Sequence, residues 1–201
     1  MSWSRAIDGR LRDPLVGRDL LIGIAVGVVL QLLTQGAHLA PGWFGHGPSL
    51  STPLAGYDGT VGFVLAILIT RIVSSVLIAT SLALVYLMLY LLIRRRRFTT
   101  AAFVVVLLGI AAMVQGLSVS LVFSALAIGL TVFTLLRLGL LTLVIAFTVT
   151  GWLDQIPMTF DFSSLFAPSS YTVFALIVAA TLFGFRTSLG GKGILGARLL
   201  E

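Results

Sequence analysis

Residues 61 to 97 read VGFVLAILITRIVSSVLIATSLALVYLMLYLLIRRRR. Thirty-three residues interrupted only by Arg71 run into Arg94, Arg95, Arg96 and Arg97 in succession. Strands rarely exceed about ten residues, and a soluble helix keeps a polar face, so a run this long and this apolar enters a bilayer. The four arginines resist translocation and mark the end held in the cytoplasm. As one helix the run would be about 50 Å long against a hydrocarbon core of about 30 Å. We therefore expect it to be divided into a span over 72–93 and a short helix over 61–70 that lies along the outer interface or re-enters it. That division puts Arg71 at the interface, where it avoids the cost of at least about 2.5 kcal/mol for a charge at mid-membrane. Asp58, Asp154 and Asp161 are its candidate partners on the outer side. Arg71 with Asp58 and Asp154 is the candidate contact for an anionic lipid or ligand.

The composition of the whole chain agrees with this reading. Of its 201 residues 58% are apolar and 10% charged, and the mean hydropathy is +1.11. A soluble domain is about half apolar and about a quarter charged, so one multi-pass membrane domain accounts for residues 1–201. The net charge of +6 would suggest nucleic acid as a partner in a soluble protein. The chain has no cysteine, hence no disulfide, thiolate nucleophile or cysteine metal site. The first apolar run starts near Leu20, is nearly a full span long and has no small-residue cleavage site after it, unlike a signal peptide.

Taken in order, residues 1–18 carry Arg5, Arg10, Arg12 and Arg18 and read as a cytoplasmic segment. A first span is expected over 19–35, with Gly23 and Gly27 spaced so that a neighbouring helix can approach closely. Residues 36–60 read as an outer loop with three prolines, two histidines (His38 and His46) and no lysine or arginine. After the tetra-arginine come spans over 99–114 and 119–136, an inner turn at Arg137 and Gly139, and a span over 140–152. Thr142, Ala146 and Thr150 share one face of that span, as small residues suited to close contact do. A second outer loop over 153–169 holds acids and aromatics but no base, and the last span covers 170–185.

Twelve of the thirteen basic residues then fall on one side of six crossings with both ends in the cytoplasm, Arg71 being the remainder. The basic clusters reflect topology, and no nucleic-acid partner is expected. Trp43, Trp152, Tyr57 and Tyr171 gather near the outer interface, as an aromatic belt does.

Proton pumps, ion-coupled carriers and intramembrane proteases carry ionisable residues within their spans. None lies securely within these, and no span contains a histidine to ligate haem. The Gly190-Gly191-Lys192-Gly193 stretch lacks the serine or threonine that a phosphate loop needs after its lysine. No enzyme activity, cofactor or metal is expected.

Two stretches carry a family resemblance. DPLVGRDLLIG at 13–23 and the block from Arg137 to Leu200, with RLGLLTLVIAF, PMTFDFSSLF, APSSYTVFALIV and FRTSLGGKGILG, resemble the multi-pass C-terminal membrane region of bacterial serine/threonine protein kinases. The arginine-rich end of the second span fits that pattern, while the middle of the chain is matched by hydropathy more than by residues. The glycine-rich loop, HRD and DFG of the kinase domain are absent, so the resemblance does not imply kinase activity. It implies a module of the bacterial cytoplasmic (inner) membrane that senses, anchors or assembles.

The expectation is therefore an all-α, six-span protein acting as a sensor, anchor or scaffold through helix packing with a protein partner or a second copy, among membrane lipids. The packing faces would be Gly23/Gly27, Ala125/Gly129 and Ala180/Gly184. Two alternatives are open: an accessory subunit of a larger membrane complex such as an electron-transfer assembly, and a small transporter or channel lined by Ser74, Ser75, Thr80, Ser81, Thr142 and Thr150.

Overall fold

The computed structural model describes residues 13–43, 60–115, 118–156 and 167–189. They form six helices: α1 (Pro14–Trp43), α2 (Val61–Ile93), α3 (Arg96–Gln115), α4 (Ser120–Phe133, continued by a π-turn over Thr134–Leu138), α5 (Leu140–Gln155) and α6 (Ala167–Ser188). No strand occurs among the described residues. Five of the helices, α4 taken with its π-turn, are long and apolar enough to cross a membrane, and α5, at 16 residues, is shorter. Large apolar side chains point outward all round the bundle, Leu92 at 84% exposure and Met113 at 90% among them. A water-soluble protein does not leave such a surface bare, whereas lipid tails cover it at no cost.

The helix contacts define an up-and-down bundle. Gly23 of α1 lies against Ile145 and the Thr142 carbonyl, and Gly27 against Val149 and the Ala146 carbonyl, so α1 and α5 run parallel. Gly17 abuts Gly184 and Ser188, which sets α6 antiparallel to α1, and Gly36 abuts the Phe123 ring, which does the same for α4. Antiparallel pairing of α2 with α5 follows from Trp152, whose indole Nε1–H donates to the Leu68 carbonyl at 3.2 Å, and from Ala79 packed with Leu143 and Val144. Tyr86 meets Phe103 edge-on at 5.5 Å and sits 3.4 Å from the Thr100 hydroxyl, closing the α2–α3 hairpin. Arg18, Arg94 to Arg97, Arg137 and Arg186 are thereby gathered toward one end of the bundle. Trp43, Trp152 and Tyr171 lie toward the other.

Helix α5 is the centre. None of its residues is exposed, because α1, α2, α6 and the π-turn surround it. A helix enclosed by protein need not match the bilayer thickness, which accounts for a length of only about 24 Å.

Three local features depart from the sequence expectations. The run 61–93 is not divided: α2 passes through Arg71 without a break, so there is no separate short helix before the second span. Its residues from Phe63 onward include neither proline nor glycine, so nothing in the local sequence ends the helix near Arg71. Thr60 starts the helix by accepting a hydrogen bond from the Phe63 amide, and Arg94 ends it in the left-handed conformation (φ 56°). Helix α1 likewise continues to Trp43, through the stretch expected to open the outer loop at Gly36. Pro41 has no N–H to give the Ala37 carbonyl, and the Ser120 hydroxyl of α4 donates to that carbonyl instead at 2.7 Å. The third feature is the π-turn, closed by the Gly139 amide donating to Thr134 O at 2.9 Å. Gly139 has φ 103° and ψ 176°, a backbone region essentially confined to glycine.

The close α1–α5 approach gives a direct prediction. A Cβ at Gly27 would lie 2.7 Å from the Ala146 carbonyl oxygen, a backbone atom that cannot swing away. Gly27→Val should cost about 1–3 kcal/mol of stability. Gly129→Ala, whose new Cβ meets nothing within 4 Å, should be neutral or stabilising by up to about 1 kcal/mol. Thermal unfolding in detergent micelles reads both, and equal effects would contradict the packing.

Candidate functional site

The polar side chains within the bundle fall into two groups, those bonded within the fold and those with no partner. Most hydroxyls belong to the first. Ser75 donates to the Arg71 carbonyl at 2.6 Å, Thr134 to Leu130 O at 2.7 Å, and Thr142 to Leu138 O at 3.5 Å. Thr150 shares its proton between Ala146 O of its own helix and Gly27 O of α1, at 2.9 and 3.0 Å. Thr142 and Thr150 thus lie on the α1–α5 contact rather than along an open path, while Ser81 is exposed.

Arg71 is different. It lies about six turns before the end of α2, half-buried, with its aliphatic stem over Gly151, whose Cβ position is 3.0 Å from Arg71 Cδ. The glycine in α5 makes room for that stem. Around the guanidinium is a cavity of about 370 Å³ lined by Phe63, Ala66, Ile67, Thr70, Ser74 and Gln155. No carboxylate among the described residues pairs with it: Asp154 lies on the neighbouring stretch of α5 without forming an ion pair to Arg71. Asp58 and Asp161 lie outside the described residues. A guanidinium on an apolar wall, with Ser74 and the Gln155 amide beside it, can hold a carboxylate or a phosphate through paired N–H donors.

From Arg71 to Ile93 is about 33 Å of helix, or about 31 Å at a tilt of about 20°. With Arg94 at one face of a hydrocarbon slab about 30 Å thick, Arg71 reaches the opposite face. The interfacial position expected for Arg71 is thus compatible with an unbroken helix.

Two buried polar residues gave no sequence signal. Gln31, in the middle of α1, is 6% exposed, and neither its amide nitrogen nor its amide oxygen has a hydrogen-bond partner. Asp19 is 3% exposed, and its carboxylate is met by the Arg18 guanidinium at 3.5 Å, a long contact to a side chain that is itself mostly exposed. Burial of these two follows from which face of α1 meets α5 and α6, and α1 is too uniformly apolar for its sequence to mark that face.

A second cavity, about 570 Å³, lies between α1 and α4 at the end opposite the arginines. His38, Thr34, Ser120 and Ser124 face it beside Phe123 and Val114. His46 lies outside the described residues, and no group of three metal-ligating side chains occurs among those described.

The small-residue pairs separate. Gly23, Gly27 and Gly184 lie in helix contacts within the chain. Gly129 faces open space, and Ala125 and Ala180 are half-buried. No family model, curated protein or solved structure matches the chain.

The unpaired Gln31 amide yields a stability prediction. Replacing an unsatisfied buried amide by an apolar side chain of similar size removes a desolvation penalty of about 1–3 kcal/mol. Gln31→Met should therefore raise the unfolding temperature in micelles, and a lowered one would mean that the amide has a partner in the folded protein.

Proposed function

We propose that the chain is a non-enzymatic anchor or scaffold of the bacterial cytoplasmic membrane, with its arginine end inside, that holds a partner polypeptide or a second copy along α2. The observation that carries this reading is the undivided α2. A helix of about 50 Å fits a hydrocarbon core of about 30 Å only at a tilt of about 50°, beyond the range of up to about 40° that membrane helices adopt. Part of its apolar surface therefore projects beyond the lipid. One side of that outer half is packed against Ile156, Val173 and Trp152, which holds it to the bundle. The other side carries Leu65 and Ile69, both more than half exposed. Apolar surface outside the hydrocarbon favours a protein cover.

Arg71 sits where that cover would begin, unpaired among the described residues, and supplies an orienting contact for an anionic group on the partner. The distribution of basic residues favours the inward orientation of the arginine end.

Purification of the full chain in a mild detergent, followed by native mass measurement, tests the reading. A stoichiometric assembly is expected, hetero- or homo-oligomeric, which Arg71→Leu weakens at least about tenfold and Arg71→Lys partly preserves. A monomer that carries no polypeptide and shows solute flux in liposomes dependent on Arg71 would overturn it in favour of transport.

A further inference from the structure

At the arginine end, α3 and α4 diverge to leave a groove of about 790 Å³ open to the membrane. Its polarity is graded along its length. Arg96, Arg97 and Arg137 stand at the mouth, and about 12 Å further in, two turns along α3, the walls are Val105 and Gly129. Three features of the chain build this arrangement. The two-residue connection at Arg94 and Arg95 brings Arg96 and Arg97 into the first turn of α3. The π-turn, with its i to i+5 hydrogen bond, adds a residue to the last turn of α4 and so shifts the register that carries Arg137 to the groove. Gly129 leaves the floor without a side chain, with nothing within 4 Å of where its Cβ would stand.

None of the three arginines is joined to a carboxylate among the described residues. A cluster of like charges without counter-ions, opening onto an apolar channel in the same groove, complements one class of molecule: an amphiphile with an anionic head and a hydrocarbon tail. Basic recesses between membrane helices at the headgroup level recognise lipid phosphates in this way.

We infer that the α3–α4 groove is a binding site for an anionic glycerophospholipid of the adjoining leaflet. The phosphate is held by Arg96, Arg97 and Arg137, and one acyl chain lies along the groove across Gly129. The site is at the opposite end of the bundle from Arg71 and does not depend on a partner along α2.

The test uses the full chain, delipidated in a non-ionic detergent and offered equimolar phosphatidylglycerol and phosphatidylcholine of identical acyl chains, with bound lipid counted by native mass spectrometry. One phosphatidylglycerol should be retained with a preference of at least about tenfold. Removing all three charges, as Arg96→Gln, Arg97→Gln and Arg137→Gln together, should abolish the preference, lowering retention of phosphatidylglycerol more than that of zwitterionic phosphatidylcholine. Gly129→Leu keeps every charge and fills the floor, so it should reduce retention of both lipids, and it serves alone if the triple variant does not fold. Glycerol 3-phosphate, the headgroup chemistry without a tail, should neither stabilise the protein nor displace the lipid. Equal retention of the two lipids by the unaltered chain, or retention insensitive to Gly129→Leu, would overturn the assignment. So would full competition by glycerol 3-phosphate, or a polypeptide released by Gly129→Leu while lipid preference stays intact.

Discussion

The close parallel contact of α1 with α5 is the constraint on which the remaining architecture rests. In lipid there is no hydrophobic drive to bring two apolar helices together, so their association depends on dispersion contact and on hydrogen bonds that cross the interface. Gly23 and Gly27 permit backbone-to-backbone approach, and the Thr150 hydroxyl, shared with Gly27 O, adds a polar bond at the same place. Once α5 is held there, α2 closes over its other side and α6 packs on α1. The Trp152 indole reaches Leu68 O, and Ile156 meets Val173. Enclosure by protein is also what allows a 16-residue helix at the centre of a membrane bundle.

Most of the bundle could be read from the sequence because its signals are local and strong. Apolar runs separated by arginines or by proline- and glycine-rich segments mark the chain as all-helical, with five to six helices apolar enough to span a membrane. What was not legible depends on contacts between distant residues. The passage of α1 through Pro41 relies on Ser120, 83 positions away from the carbonyl it rescues. The place of the Arg71 stem is set by Gly151, 80 positions away, which leaves room for it on α5. Bilayer thickness favours a division there, but no proline or glycine from Phe63 onward supplies one. Gln31 and Asp19 are buried by the choice of which α1 face turns inward, and no periodicity in that helix marks the choice.

For the candidate sites the outcome divides by residue. The GxxxG spacing at Gly23 and Gly27 does correspond to close approach, though the approaching helix is part of the same chain. Gly129, by the same pattern, borders an empty groove, because α3 diverges from α4 where a packed helix would have met it. Arg71 stands out from sequence and structure alike for one physical reason: a guanidinium in an apolar helix requires either water or an anion, and the polar residues lining its cavity, Thr70, Ser74 and Gln155, carry no charge. The interior hydroxyls of α5 are bound to backbone, which turns attention to the two ends of the bundle and to the outer surface of α2.

The register of α1 against α5 can be measured directly, because the chain contains no cysteine to interfere. Gly23→Cys combined with Ile145→Cys brings two Cβ atoms together, the Gly23 Cβ position being 2.8 Å from Ile145 Cβ, so that the helices need part by only about 1 Å to reach disulfide geometry. Gly23→Cys combined with Leu153→Cys separates them by about 12 Å along α5, too far for a disulfide. Oxidation in native membranes should cross-link the first pair and leave the second free. Cross-linking of the second pair and not the first would mean that the two helices do not meet in this register, and the bundle built on their contact would be wrong.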